Sequence, residues 1–215
     1  MKTKAISLLL AVLLALFAVS ASVAAPICIR PFYYAHIEGL RMPEKTGWTH
    51  EQIRKAFDDV MDFLLKDAEF ATGDLQWSES GRSHFADCRV LFLLDLRILA
   101  VTAALLAAAF LYYRKTKSTP ALLAGRGPSF WAGVLIIVLF GGFGAFAASD
   151  FDRAFALFHK IFFPGKTNWV FDPRADQIIL VMPEEFFRNC AILIGCLLIL
   201  FVILYFLFGK KRQTR

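Results

Sequence analysis

Apolar positions along the chain gather into four long blocks, with the charged residues in the stretches between them. The blocks are Ala5–Ala25, Val90–Tyr113, Phe130–Ala148 and Cys190–Phe208. Each is close to the ~20 residues a helix needs to cross the hydrocarbon core of a bilayer. All are too long for barrel strands, so the pattern predicts four transmembrane helices. The first, third and fourth blocks carry no charge, whereas the second holds Asp95 and Arg97. An ionisable group at that depth should face the bundle interior and have a partner. Residues two apart do not share a helical face. Arg188, at the start of the last span, is therefore an alternative partner to Arg97 for Asp95.

The stretches between blocks have local patterns of their own. In "TGWTHEQIRKAFDDVMDFLLKDAEF", Thr49 and Gln52 stand at capping-box spacing. Ile53, Phe57, Val60 and Leu64 then recur at helical intervals with acids opposite, which predicts an amphipathic helix. "RPFYYAHIE" is aromatic-rich and reads as an extended segment. Ser80 or Ser83 is placed to cap a helix running into the second span. On it His84, Asp87, Leu91 and Asp95 share one face. After the third span, Phe151, Phe155, His159 and Phe162 also share a face, and Pro164–Gly165 ends that helix. Asp172–Pro173 has the form of a helix start, with Asp as N-cap and Pro first inside. Pro183, Glu184 and Glu185 open the last helix, where acids suit the dipole. The fold class is an all-α polytopic membrane protein: four transmembrane helices and an extracytoplasmic cap built from helix plus possible short strands. The segments are 1–25, first span; 26–89, cap; 90–113, second span; 114–128, basic cytoplasmic loop; 129–148, third span; 149–187, extracytoplasmic aromatic segment; 188–208, fourth span; and 209–215, basic cytoplasmic tail.

Charge sets that orientation. Every acidic residue except Asp95 lies within 26–89 or 149–187. Lys2, Lys4, the loop Arg114–Arg126 and the tail Lys210–Arg215 are purely basic. Basic flanks stay in the cytoplasm, so both termini are expected inside and both acid-containing segments outside. The net charge of +6 is then the sum of these flanks and not a nucleic-acid surface. The first block, with its basic start and small residues near Ala25, also has the form of a secretory signal. Its length favours a retained helix, and residues 26–89 lie outside in either case. "APIC" lacks the residues expected ahead of a lipoprotein cysteine. Of the four cysteines, Cys28 and Cys88 fall on the outer side, where a disulfide is chemically possible; buried thiols are the plainer reading.

The candidate chemistry rests on histidine. His36 and His50 read as structural. His84 has a carboxylate, Asp87, three residues on, which can orient a ring and hold its tautomer. His159 sits among phenylalanines, and both histidines leave the bilayer on the same side. His84 and Asp87 make only two ligands, and no HExxH occurs, so no metal site is expected. No GxSxG marks a serine hydrolase, and no pair of broken helices marks a transporter. "GGFGAF" in the third span serves close helix packing. A histidine-only acid–base site, suited to acyl transfer and needing no cofactor, remains.

"FHKIFFPGKTNWVFDPRADQIILVMPEEFF" joins F-H-x-x-F-F, a tryptophan, D-P, an aspartate three residues on, and P-x-x-F-F before the last span. With the four-span plan and the histidine–aspartate pair before the second span, the chain resembles the lipoprotein intramolecular transacylases (Lit) of bacteria. The likeness in architecture covers nearly the whole chain and is most specific over 75–97 and 154–187. The resemblance implies transfer of the sn-2 acyl chain of a diacylglyceryl lipoprotein to its N-terminal cysteine α-amino group, giving a lyso-form lipoprotein, with membrane lipid around the site. It implies catalysis by His84 and His159 on the outer face of the bacterial cell membrane. Asp87, Asp95, Arg97, Asp172, Asp176 and Arg188 are the expected supporting residues. Phe155, Phe158, Phe162 and Trp169 are expected to line a substrate pocket and keep water out. Two other classes stay open: a non-enzymatic docking, assembly or sensor protein using the Ile53–Phe57–Leu64 stripe, and a membrane lipid or peptide hydrolase. The oligomeric state is not readable.

Overall fold

The computed structural model describes residues 3–209. Lys2 and the basic tail, both used above for orientation, lie outside them. The regular structure of the described residues is helical: α1 Lys4–Cys28, α2 Arg30–Gly39, α3 Met42–Thr46, α4 His50–Leu65, α5 Glu79–Lys115, α6 Pro128–Ser149, α7 Phe151–Phe162, α8 Ile178–Val181 and α9 Glu184–Phe208. Helices α1, α5, α6 and α9 are each long and apolar enough to cross a membrane. Leu9, Val90, Phe110, Val138 and Ile199 on these helices stay exposed. Water would penalise so much bare apolar surface, whereas lipid tails cover it.

The chain divides into two compact units. Among the described residues, one comprises 3–23, 95–149 and 194–209. Its core is a cluster of Ala15 and Ala18 from α1, Ala132 and Ile136 from α6, and Tyr205 from α9. Between apolar helices in lipid, small side chains let backbones approach, and close packing then supplies the attraction. Gly133 follows the same logic, because a Cβ there would lie 2.8 Å from the Phe206 ring. The Tyr205 hydroxyl donates to the Leu14 carbonyl at 2.8 Å, so its polar end is satisfied within the helices. Asp95 meets the Ser20 hydroxyl of α1, and Arg97 is exposed. The arginine partner expected for Asp95 is thus replaced by a neutral hydroxyl. No ion pair involving Asp95 occurs among the described residues.

The other unit comprises residues 24–94 and 150–193. Ile53, Ala56, Phe57, Val60 and Leu64 line the buried face of α4, whose N-terminus is fixed by the Thr49–Gln52 capping box. Tyr33 of α2 stacks on Phe57 with ring centroids 3.6 Å apart, and its hydroxyl donates to the Val181 carbonyl at 2.6 Å. Arg30 bridges Asp58 and Asp62 of α4. "RPFYYAHIE" is therefore helical rather than extended. Pro31 suits the first turn of α2, and Tyr33 and Ile37, four apart, bury one helical face. Aromatic content suggested a strand, but the 3.6-residue spacing decides where burial goes.

Two helix starts also differ from expectation. Ser78, not Ser80 or Ser83, caps α5: its hydroxyl accepts from the Gly81 amide at 3.0 Å. Asp172–Pro173 opens a turn and no helix. The Asp172 carboxylate accepts from the Arg174 amide at 3.0 Å, the side-chain bond that competes with helix initiation.

Candidate active site

The second unit brings two of the four histidines together. His84 lies in the opening turns of α5, on the same helix that becomes apolar at Val90. His159 lies in the last turn of α7. Both are buried, and their ring centroids are 5.7 Å apart.

Aromatic rings close around the pair. Phe163 and Phe171 present edges to His84 at 5.0 and 5.5 Å. Trp169 stacks on His159 at 4.7 Å and 25°, and Phe155 lies 4.3 Å from it. Phe158 is 5.5 Å from His159, while Phe162 touches Phe158. Phe158 and Phe162 are both exposed, so they form a rim and the other rings form the interior.

Hydrogen bonding fixes what each imidazole has left to offer. Nδ1 of His159 is 2.8 Å from the Phe155 carbonyl. A carbonyl can only accept, so Nδ1 carries the proton and Nε2 keeps a lone pair. His84 is different: its Nε2 faces the Cys88 sulfur at 3.4 Å, and its buried Nδ1 has no protein partner. Burial pushes His159 below the usual imidazole range, against the Phe155 carbonyl, which favours the charged ring. Neutral His159 therefore prevails near pH 7. Two like charges this close would also repel, so the pair is not doubly protonated.

The loop after α7 is held against α5 by polar contacts. Lys166 Nζ donates to Asp87 at 2.5 Å, and Asn168 Nδ2 donates to Asp87 at 3.2 Å and to Ser83 Oγ at 3.4 Å. Asp87 thus grips this loop and does not bond to His84. A stronger partner, an ammonium, takes the carboxylate that sequence spacing offered to the ring.

A second clamp holds the following segment. The Asp176 carboxylate accepts from the Ser78 amide and hydroxyl, both at 2.8 Å, and Gln177 exchanges bonds with Gln76. Gly81 makes this possible: a Cβ there would lie 2.1 Å from Asp176 Oδ1 and 3.1 Å from the Phe171 ring. Asp176 is buried, and the Phe171 ring that meets His84 borders the same glycine. Asp172 is bonded to Arg174 on an exposed turn, and Arg188 is exposed; neither pairs with either of the two histidines. Asp95 and Arg97 belong to the other unit. His36 binds the Phe32 carbonyl at 2.7 Å, and His50 lies 4.0 Å from Glu38. Among the described residues no group of three His, Cys, Asp or Glu side chains is placed to hold a metal ion.

Phe163, Phe171, Cys88, Lys166, Asn168, Ser78 and Gly81 were not among the site residues expected from the sequence, where Cys88 was considered only for a disulfide with Cys28. Cys88 had a signal, since it stands four residues from His84. Phe171 and Gly81 had none, because their roles depend on contacts distant in sequence.

The chain matches the family model described as lipoprotein intramolecular transacylase Lit over residues 8–187. It is similar to the solved structure of the membrane integral lipoprotein intramolecular transacylase Lit from Bacillus cereus, with TM-score 0.84 and 25% identity, covering 95% of this chain and 93% of that one. Two structures of the same Bacillus cereus protein, with one histidine replaced by arginine or by alanine, each match with TM-score 0.77 and 25% identity. They cover 95% of this chain and 89% or 90% of theirs. No curated protein matches the chain.

Proposed function

The chain belongs to the lipoprotein intramolecular transacylase family Lit, and we propose that it moves the sn-2 acyl chain of a diacylglyceryl lipoprotein onto the α-amino group of that lipoprotein's N-terminal cysteine. The observation that carries this reading is the pair of buried imidazoles, 5.7 Å apart, inside a shell of aromatic rings. His84 keeps Nδ1 without a protein partner, and His159, with Nδ1 on the Phe155 carbonyl, keeps the Nε2 lone pair.

In the proposed reaction the neutral amine attacks the sn-2 ester carbonyl. The base is His159 through Nε2, the nitrogen left basic by the Phe155 carbonyl bond. A C–N bond forms, and the amine proton passes to that nitrogen. Nδ1 of His84, which has no protein partner, steadies the tetrahedral oxyanion as an N–H donor. The sn-2 C–O bond then breaks, and the alkoxide takes the proton back from His159. Atoms balance within one substrate molecule, so no cofactor enters. Donor and acceptor share a molecule, and holding them in contact supplies several kcal/mol, with ~7–11 as the limit for ideal geometry.

Water is the competing nucleophile. Phe155, Phe163, Phe171 and Trp169 exclude it, and the rim of Phe158 and Phe162 receives the acyl chains from surrounding lipid. We place this site on the outer face of a bacterial cell membrane, with both termini cytoplasmic, from the split of basic and acidic segments.

The test is tandem mass spectrometry of a synthetic S-diacylglyceryl-cysteine lipopeptide incubated with the purified protein. The expected product has unchanged mass and an N-acyl fragment. It should fall by about 10²–10⁴ in rate with His84→Ala or His159→Ala. Loss of one acyl mass would instead mark a hydrolase, and an unreacted substrate with folded protein would favour a docking role.

A further inference from the structure

We infer that Asn168 binds the substrate's α-amino group, its side-chain oxygen accepting one amine N–H while His159 takes the other proton. The inference rests on the transacylase reading and adds the group that recognises the acceptor nitrogen.

Asn168 Oδ1 is one of three buried side-chain polar atoms among the described residues without a protein partner; another is His84 Nδ1. The third, Asp95 Oδ2, belongs to the other unit. The orientation of the Asn168 amide is settled by its neighbours. Nδ2 points to the Asp87 carboxylate, which can only accept, and to Ser83 Oγ. Both N–H groups are thereby occupied, and Oδ1 must face away from them.

The surroundings tie Asn168 to both histidines. Ser83 precedes His84 in α5, and Asp87 follows it by one turn. Trp169, the next residue after Asn168, stacks on His159. Asn168 is therefore tied on one side to the residues flanking His84, and through the chain to the ring over His159. A buried acceptor left unbonded is costly, and a ligand that supplies an N–H removes the penalty.

The chemistry of the proposed substrate supplies such a donor. A neutral primary amine attacks with its lone pair and carries two N–H bonds. One proton must reach His159. The other stays on nitrogen throughout, and it becomes the amide N–H of the product. An acceptor that cannot take a proton suits this second position, and a carboxamide oxygen is one. Asp87, three residues from His84, cannot serve, because Lys166 and Asn168 already hold it.

The experiment compares two ligands in one protein sample. Binding of the S-diacylglyceryl-cysteine lipopeptide is measured against a desamino analogue with hydrogen in place of the amine. The His159→Ala background prevents turnover. Preference for the free amine should be about tenfold, the size of one hydrogen bond. It should collapse to near onefold on adding Asn168→Leu or Asn168→Ser. A ratio within one sample does not depend on how much of it is folded, and two variants guard against loss of either. A tenfold preference that survives both substitutions overturns the inference, as does a His159→Ala protein with no preference. Turnover by the wild-type protein is followed alongside. If it forms no N-acyl product, the transacylase reading itself fails, which is distinct from an unchanged preference in a protein that turns over.

Discussion

Replacing Gly81 with alanine sets two physical effects against each other. Gly81 is inside α5, where alanine is the better helix former by about 1 kcal/mol. Its Cβ, however, would stand 2.1 Å from Asp176 Oδ1 and 2.8 Å from its carboxyl carbon. Neither distance is tolerable, so the carboxylate must move by about an ångström. Its two bonds to Ser78 are already at 2.8 Å and have no slack. Hydrogen bonds to a charged group contribute about 1.5–3 kcal/mol each, and overpacking a close site costs about 1–3 kcal/mol. With the helix gain subtracted and at least one bond lost, Gly81→Ala should destabilise by about 2–5 kcal/mol. For a chain of this size that lowers the melting temperature by roughly 5–15 °C. Thermal unfolding in detergent reads it. Phe171, which shares the space, should shift against His84 and lower the acyl-transfer rate of the protein that stays folded. The decisive control is Asp176→Ala. With the carboxylate gone, Gly81→Ala should be neutral or mildly stabilising. An equal loss in both backgrounds, or a single variant more stable than the wild type, would refute the clamp.

Acid should protonate His159 later than an ordinary histidine. Burial holds the His159 pKa below 6.5, so its basic neutral form persists below that pH and is lost only on further acidification. An NMR titration of the His159 imidazole, which is blind to the substrate amine's own titration at ~8, should have its midpoint below pH 6.5, and a midpoint at or above that value contradicts the assignment of His159 as the neutral base. Asp87→Asn should alter stability by at most ~1 kcal/mol, because its ion pair with Lys166 is partly exposed. It should nonetheless slow acyl transfer and reduce its salt sensitivity by loosening the loop that carries Trp169; equal rates for both proteins at low and high salt would count against this. Tyr33→Phe removes the donor to the Val181 carbonyl and should cost about 1–3 kcal/mol in melting experiments, with turnover per folded molecule unchanged.

The four spans were legible because a helix crossing lipid must be apolar along its whole length, a constraint that leaves a mark in every residue of the run. The capping box of α4 was legible for the opposite reason: Thr49 and Gln52 satisfy each other within one turn, so no distant contact can rewrite it. Misread segments lie between these limits. Ser80 and Ser83 were as good capping candidates as Ser78, and the choice was made by Asp176, nearly a hundred residues on. "RPFYYAHIE" had the residue types of a strand, but Tyr33 and Ile37 bury the same helical face.

The site divides in the same way. His84 and His159 could be named because few residue types do acid–base chemistry near neutral pH, and both precede or follow an apolar run on the same side. Their partners could not be assigned by spacing. Asp87 stands where it would orient His84, yet a charge 79 residues away, Lys166, competes for the same carboxylate and wins at 2.5 Å. The tautomer of His159 is set by a backbone carbonyl, which every residue possesses and no sequence displays. A local pattern therefore reveals which atoms are able to react. The long-range contacts settle which of those atoms are already engaged, and the nitrogens and the oxygen they leave over are the atoms on which the proposed substrate binding rests.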